Sequence, residues 1–171
     1  MSVDWGVVYR TTFTDLVRFL YRKVWDAERA QDLAQEAFVR ALRSGGQPDS
    51  PRAWIFSIAS NLARDDARAA IRRRRHLTLV RVEADAHAES PEDPMSALDT
   101  GDRHEQLRRA LDALGERDRE VLLLWNAGLD YAEIASQTGL SVGSVGTTLA
   151  RARRRLVEAH ATLEAAYAAR G

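Results

Sequence analysis

The sequence predicts an all-α protein of two small helical domains joined by a flexible acidic linker, the second domain containing a helix-turn-helix. Ala, Leu, Arg and Glu dominate its 171 residues, and aromatic residues make up only 7%. This composition favours helices and offers almost no strand candidate. Apolar residues recur at helical spacing on both sides of an acidic stretch. We place the first domain at residues 5–80, the linker at 81–104 and the second domain at 105–165.

Three helices are predicted for the first domain. The first has an apolar face that extends from Phe13 to Val24, and the second runs from about Asp26 to Leu42. A Gly- and Pro-containing loop follows at residues 44–49. Ser50 then caps the third helix, with Pro51 at its first position, where a missing N–H has no consequence. This helix is expected to end in the arginine run at residues 72–75.

The net charge of zero conceals a segregation of charge along the chain. Residues 1–82 carry 15 basic and 9 acidic side chains, whereas residues 83–105 carry 1 basic and 8 acidic. Pro91 and Pro94 lie among these acids, and helical periodicity fades there. The segment is therefore predicted to be a flexible linker.

Residues 130–155 are typical of a helix-turn-helix followed by a basic run. Asp130 and Glu133 have the spacing of a capping box at the start of its first helix. Gly139 provides the tight turn, and Ser141 is predicted to cap the second helix. Two short helices around a glycine turn also occur as plain packing, but the caps, the small Ala135 and the turn at these offsets favour duplex DNA as the ligand.

The second helix of this motif is predicted to be amphipathic. Its apolar stripe comprises Val142, Val145, Leu149 and Leu156. The face predicted to meet bases and phosphates in a major groove carries Ser144, Thr147, Thr148, Arg151 and Arg155.

Several functional classes are not supported by the sequence. The absence of cysteine excludes disulfides, thiolate zinc sites and thiol catalysis, and the four histidines show no metal spacing. There is no phosphate-binding glycine loop and no converging set of catalytic residues. We therefore expect neither a cofactor nor an enzyme. The N-terminus lacks a signal-peptide pattern, and the longest apolar run, residues 121–125, is too short to span a bilayer. A cytoplasmic protein without membrane insertion is expected.

The third helix of the first domain combines Trp54 and Asn61 with a ladder of arginines at positions 64, 68 and 72. Cations and an aromatic ring on one helix suit single-stranded nucleic acid, in which bases stack and phosphates need counter-charges. A core tryptophan with a solvated arginine face explains the same pattern equally well.

Three segments in this order resemble an extracytoplasmic-function (ECF) sigma factor of bacterial RNA polymerase. Residues 32–38 (Asp-Leu-Ala-Gln-Glu-Ala-Phe) resemble the helix that binds the polymerase clamp, residues 51–63 the promoter-melting helix, and residues 111–156 the fourth sigma domain. The resemblance implies polymerase contacts by Asp32, Leu33, Gln35, Glu36 and Phe38. It implies −10 DNA contacts by Gln47, Asp49, Trp54, Asn61, Arg64, Arg68 and Arg72. It implies −35 DNA contacts by Ser141, Ser144, Gly146, Thr147, Thr148, Arg151 and Arg155.

The implied partners are core RNA polymerase, promoter DNA with a duplex −35 and a melted −10 element, and an anti-sigma protein. The chain departs from the family at Ser57, Ser60, Gly146 and Thr148, where members commonly carry basic residues. We therefore expect weaker or unusual −35 recognition, because a lost base-reading arginine forfeits about 1–3 kcal/mol of discrimination.

Two other functions are compatible with parts of the pattern. A free-standing helix-turn-helix regulator would bind duplex DNA alone and has no need for Asp32, Gln35 and Glu36 on an exposed face. An interaction protein that binds polymerase without choosing promoters has no need for the basic face formed by Arg151 to Arg155.

Overall fold

The computed structural model describes residues 2–81 and 98–169, with side-chain environments for 2–78 and 101–169. Within these residues the chain is all-α, as predicted. The helices are α1 (Trp5–Val24), α2 (Ala27–Ser44), α3 (Pro51–Arg81), α4 (Leu98–Asp112), α5 (Glu116–Asn126), α6 (Tyr131–Thr138) and α7 (Val142–Ala168). Helices α1–α3 pack against one another as the first unit, and α4–α6 pack against α7 as the second unit.

Local capping and a shared apolar core define the first unit. The Asp26 side chain accepts a hydrogen bond from the Arg29 amide at 2.9 Å, and Ser50 accepts one from the Ala53 amide at 3.3 Å, which confirms the predicted cap of α3. All three helices supply the buried apolar residues, which are Leu16, Phe19, Leu20, Ala30, Leu33, Ala34, Ala37, Phe38, Ala41, Ile55, Phe56, Ala59, Leu62 and Ala63.

The first helix and the turn of the helix-turn-helix have the predicted local geometry, whereas the predicted side-chain cap of its second helix is not formed. Asp130 accepts from the Glu133 amide at 2.8 Å while Glu133 accepts from the Asp130 amide at 2.9 Å, so both halves of the capping box are formed. Gly139 ends α6 with a φ of 73°, a left-handed conformation that a side chain would strain. Ser141 occupies the N-cap of α7, but its hydroxyl lies 2.6 Å from the Ser144 hydroxyl instead of binding a backbone amide.

The helices flanking the predicted linker extend further than expected. Helix α3 continues past the arginine run to Arg81, since no Gly or Pro interrupts it after Pro51 and arginine is a good helix former. Helix α4 begins at Leu98, inside the predicted linker at 81–104. The remainder of that linker, residues 82–97, lies outside the described residues.

The buried face of α7 differs from the predicted stripe. Its buried residues are Val145, Thr148, Leu149 and Ala152, whereas Val142 is 53% exposed. The predicted exposure of Thr148 is wrong, because this side chain is only 5% exposed. Positions 145, 148, 149 and 152 follow the i, i+3, i+4, i+7 spacing of one helical face, and threonine carries a methyl group that packs in a core.

The two units pack against each other through apolar and polar side chains. Buried residues from both belong to one continuous cluster, and α1 meets α5 directly. Among the helices described, none has the length and apolar character needed to cross a membrane. The described part of the chain also contains no group of three or more His, Asp or Glu placed to hold a metal ion.

Candidate nucleic-acid and partner interfaces

Helix α2 presents a polar surface on the first unit. Asp32 and Gln35 are exposed, and the half-buried Glu36 accepts a hydrogen bond from Arg40 Nε at 2.8 Å. Leu33 and Phe38 are only 3% and 5% exposed. These two predicted contact residues therefore lie in the core, where they support the surface from beneath.

The face of α3 near its N-terminus is held by packing between aromatic rings. The Trp54 ring lies 5.7 Å from that of Trp5 and is half-buried. A Cβ added at Gly46 would lie 2.7 Å from Trp54 Cη2, so any larger residue at this position would force the tryptophan ring or the loop to shift. Gln47 accepts a hydrogen bond from the Val3 amide at 2.8 Å, and the exposed Asp49 borders the same region.

Further along α3, the predicted arginine ladder is exposed. Arg64 donates to Asn61 Oδ1 at 3.0 Å, and Arg68 lies 3.9 Å from Asp65. Arg72 is exposed on the same helix. The ladder is thus accessible to an anion, with part of its charge offset by Asp65.

Helix α6 of the second unit covers the start of α3. Ser50 donates to Glu133 Oε1 at 2.6 Å, and Gln137 Nε2 donates to the Ala53 carbonyl at 2.8 Å. A cavity of about 700 Å³ remains between the helices, lined by residues that include Asp49, Trp54, Asn61 and Arg64 of the first unit. Four predicted −10 residues therefore line the same cavity as the helix-turn-helix.

A buried ion pair joins α1 to α5. Lys23 Nζ donates to Glu120, and Ser60 on α3 donates to the other carboxylate oxygen at 2.8 Å. The Lys23 and Glu120 side chains are only 17% and 13% exposed. Burial lowers the pKa of Lys23, although the neighbouring Glu120 opposes that shift.

Helix α7 presents an exposed face opposite its buried residues. Thr147 lies on this face, Ser141 is exposed at its N-terminal end, and Ser144 is half-buried. A Cβ added at the half-buried Gly146 would lie 3.4 Å from Tyr131 Cε2. The Tyr131 ring thus lies close over the position where a side chain at 146 would begin.

Both predicted −35 arginines bind one carboxylate on α5. Asp118 is 3% exposed and accepts from Arg151 Nε at 3.0 Å, from Arg151 Nη2, and from Arg155 Nη1 at 3.0 Å. The hydrogen bonds from Arg151 hold the pKa of Asp118 below its usual range, against the effect of burial, and raise the pKa of Arg151.

Known families match both units. The sigma-70 region 2 pattern covers residues 8–76, and the sigma-70 region 4 pattern covers residues 104–156. The ferric citrate uptake sigma factor FecI of Escherichia coli (strain K12) is 32% identical over 154 residues, which are 88% of this chain and 87% of FecI. The ECF RNA polymerase sigma factor EcfG of Rhodopseudomonas palustris (strain TIE-1) is 36% identical over 135 residues, 77% of this chain and 71% of EcfG.

The chain belongs to the ECF sigma factors of RNA polymerase. It is a promoter-specificity factor and so acts in transcription initiation.

Solved structures of other proteins share this fold. CnrH, in complex with the cytosolic domain of CnrY, superposes with a TM-score of 0.62 at 26% identity, covering 94% of this chain and 88% of CnrH. RpoE of Bartonella quintana, in complex with the anti-sigma factor NepR, has the same TM-score at 22% identity, covering 91% and 96%.

The sigma factor has further candidate residues that the sequence analysis missed. On α2, Val39 and Leu42 are 36% and 55% exposed beside Gln35, and they line a groove of about 540 Å³ between α1 and α2. In the sequence, these residues could have been identified by their three-residue spacing, which places both on the polar side of the helix.

On α7, Gly143, Ala150 and Arg154 share the exposed face with Thr147. Taking Val145 and Thr148 as the centre of the buried stripe would have placed these residues on the opposite face.

Proposed function

We propose that this sigma factor binds core RNA polymerase through α2, holds the melted −10 strand along α3 and reads the −35 duplex with α7. The single observation that carries the proposal is the match of sigma-70 regions 2 and 4 to the units that present these three surfaces. It also accounts for the exposed polar side chains on α2, which a free-standing DNA-binding regulator would not need.

For polymerase binding, we assign the direct contacts to Asp32, Gln35 and Glu36, extended by the exposed Val39 and Leu42. The three polar residues lie within one turn of α2, and the two apolar residues continue the same side of the helix. Charged side chains orient the two proteins and raise the rate of association, whereas the apolar pair adds to the surface that is buried in the interface.

For −10 binding, we assign the phosphate contacts to Arg64, Arg68 and Arg72 and a base contact to Asn61. These four side chains are exposed on α3. Trp54 is half-buried against Trp5, so its contribution is to shape the adjoining loop that carries Gln47 and Asp49.

For −35 binding, we assign Thr147 and Arg151 to the groove, together with Ser141, Ser144, Gly146 and Arg155 at its border. Arg154, which the sequence analysis did not select, joins them on the exposed face. Thr148 is removed from this set because it is buried. With Gly146 in place of a basic residue, recognition relies on fewer charged contacts.

Binding of the melted −10 strand requires α6 to leave α3. The hydrogen bonds from Ser50 to Glu133 and from Gln137 to Ala53 occupy the start of α3, where the melted strand is proposed to lie. We therefore propose that polymerase binding separates the two units and that the contacts between them hold an inactive form.

We also propose regulation by an anti-sigma protein, a cytoplasmic location and no enzymatic activity of the chain without polymerase. CnrH, 26% identical to this chain, is solved in complex with the cytosolic domain of CnrY. The groove beside Gln35, lined by Tyr9, Val39 and Leu42, offers an apolar surface for such a partner.

Co-purification with core RNA polymerase tests the proposed function. Wild type is compared with Asp32→Ala/Gln35→Ala/Glu36→Ala and with the control Glu158→Ala/Glu164→Ala, which removes exposed acids near the end of α7. Stoichiometric binding of wild type and control, abolished by the triple change, supports it. Duplex DNA binding by the wild type alone, without polymerase association, favours a free-standing regulator instead.

A further inference from the structure

Asp118 is a buried carboxylate beneath the proposed DNA-reading helix. It is 3% exposed and lies on α5, among a run whose other buried members are the apolar Val121, Leu123 and Leu124. Both of its oxygens accept hydrogen bonds from α7, two from Arg151 and one from Arg155. One α5 side chain therefore binds two arginines one helical turn apart on α7.

Stability alone is a poor explanation for a carboxylate at this position. The attraction within a buried ion pair offsets little more than the free energy needed to remove its charges from water. An apolar side chain at this position would pack equally well and would not incur that cost. What the carboxylate adds is geometry, because two parallel N–H···O bonds fix both the position and the plane of a guanidinium group.

Arg151 is held in this way at the edge of the exposed face. Its side chain is 40% exposed and follows Thr147 by one helical turn. Asp118 binds Nε and Nη2, while Nη1 has no hydrogen-bond partner among the described residues. The guanidinium is thus anchored along one edge and still has donor capacity for a base or phosphate.

We infer that Asp118 is a positioning residue for −35 recognition, which orients Arg151 before DNA binds. The inference rests on the proposed function, namely that α7 reads the −35 duplex. A preoriented arginine loses less side-chain entropy on binding. It also discriminates better between bases, because a bidentate hydrogen-bonded contact to a base edge requires the guanidinium group to lie in one particular plane. Arg155 donates to the same carboxylate oxygen as Arg151 Nε, so the three side chains together keep an excess positive charge.

The test uses holoenzyme assembled from the full chain and core polymerase, with promoter duplexes carrying a randomised −35 segment as the probe. Wild type first selects its preferred −35 sequence, and binding to that sequence and to a scrambled one is then measured at several salt concentrations. Asp118→Asn removes the charge-assisted bonds. Asp112→Asn is the matched control, because Asp112 is 53% exposed and pairs at 3.1 Å with Arg119, outside α7.

Asp118→Asn is expected to lower the ratio of specific to scrambled binding on the order of tenfold, with little change in the salt slope, since Arg151 and Arg155 keep their charges. Asp118→Leu is a second test of the same role, to be used if Asp118→Asn does not fold. Both arginines can turn to solvent, so this variant retains its helical circular dichroism and still loses discrimination.

Unchanged discrimination in the folded Asp118 variants overturns the inference and leaves the proposed function standing. Equal losses of specific and scrambled binding also overturn it, because they indicate a purely structural role. If the wild-type holoenzyme selects no −35 sequence, the proposed −35 function fails, and the inference fails with it.

Discussion

Glu120 on α5 accepts hydrogen bonds from Ser60 on α3 and Lys23 on α1, so one carboxylate joins both units of the protein. The ammonium and the carboxylate are both largely buried at this junction. Interfaces between domains that separate and reassociate are typically rich in polar and charged side chains. We therefore regard the Glu120 cluster as the contact that controls opening.

Replacing this carboxylate should open the protein. Glu120→Gln leaves the Lys23 ammonium buried without its counter-charge, which should weaken the interface by about 1.5–3 kcal/mol. Fluorophores on α2 and α7 should report a larger separation, and the variant should bind single-stranded DNA more tightly than wild type does. Asp112→Asn is the control, since it makes the same acid-to-amide change at a side chain that is 53% exposed and pairs at 3.1 Å with Arg119 inside the second unit. An unchanged separation in the Glu120 variant would refute this role.

A side chain at position 146 should change −35 binding. Gly146→Arg adds a guanidinium beside the Tyr131 ring, 3.4 Å from the new Cβ, and should steepen the salt slope of −35 binding by about 0.9, the value for one phosphate contact. Gly146→Ala is the control for the gain in helix propensity, roughly 0.5–1 kcal/mol, without added charge. If the arginine variant keeps the wild-type affinity, salt slope and base preference, Gly146 does not lie at the groove.

Acid should remove the stabilisation contributed by Asp118. Because Arg151 lowers the pKa of this carboxyl in the folded protein, the unfolded chain binds its proton more readily. The contribution is therefore fully present above the unfolded pKa of about 3.9 and is lost as the pH falls through the lower folded value. Denaturant unfolding across this range should show wild type losing more stability than Asp118→Asn. Parallel pH profiles for the two proteins would contradict the assignment.

Asp130 and Glu133, which form the capping box of α6, should contribute differently to stability and to the docking of the two units. Asp130→Ala removes one bond of the capping box and should cost about 1 kcal/mol of unfolding free energy. Glu133→Ala removes the reciprocal bond and also the contact with Ser50, so the two units should dock more weakly as well. Denaturant unfolding checks the first effect, and the fluorophore separation checks the second. Asp130→Ala should leave the separation unchanged.

Features formed between near neighbours in the chain could be predicted from sequence. The capping box of Asp130 and Glu133, the turn at Gly139 and the cap at Ser50 all involve partners within a few residues. Their geometry follows from local backbone chemistry. The helical spacing of α7 was equally visible, but threonine can face either a core or solvent, so Thr148 was placed on the wrong side.

Contacts between distant residues depended on how the helices pack. Asp118 and Arg151 are 33 positions apart, and Lys23 and Glu120 are 97 apart. Each is a common charged residue on an amphipathic helix, and the adjacent sequence does not indicate which distant residue it pairs with. The chain's local chemistry sets where helices begin and turn, and the family resemblance identifies the function. Pairing of these charges arises only when apolar packing brings α5 against α7 and α1, because charge attraction acts over a short range in water.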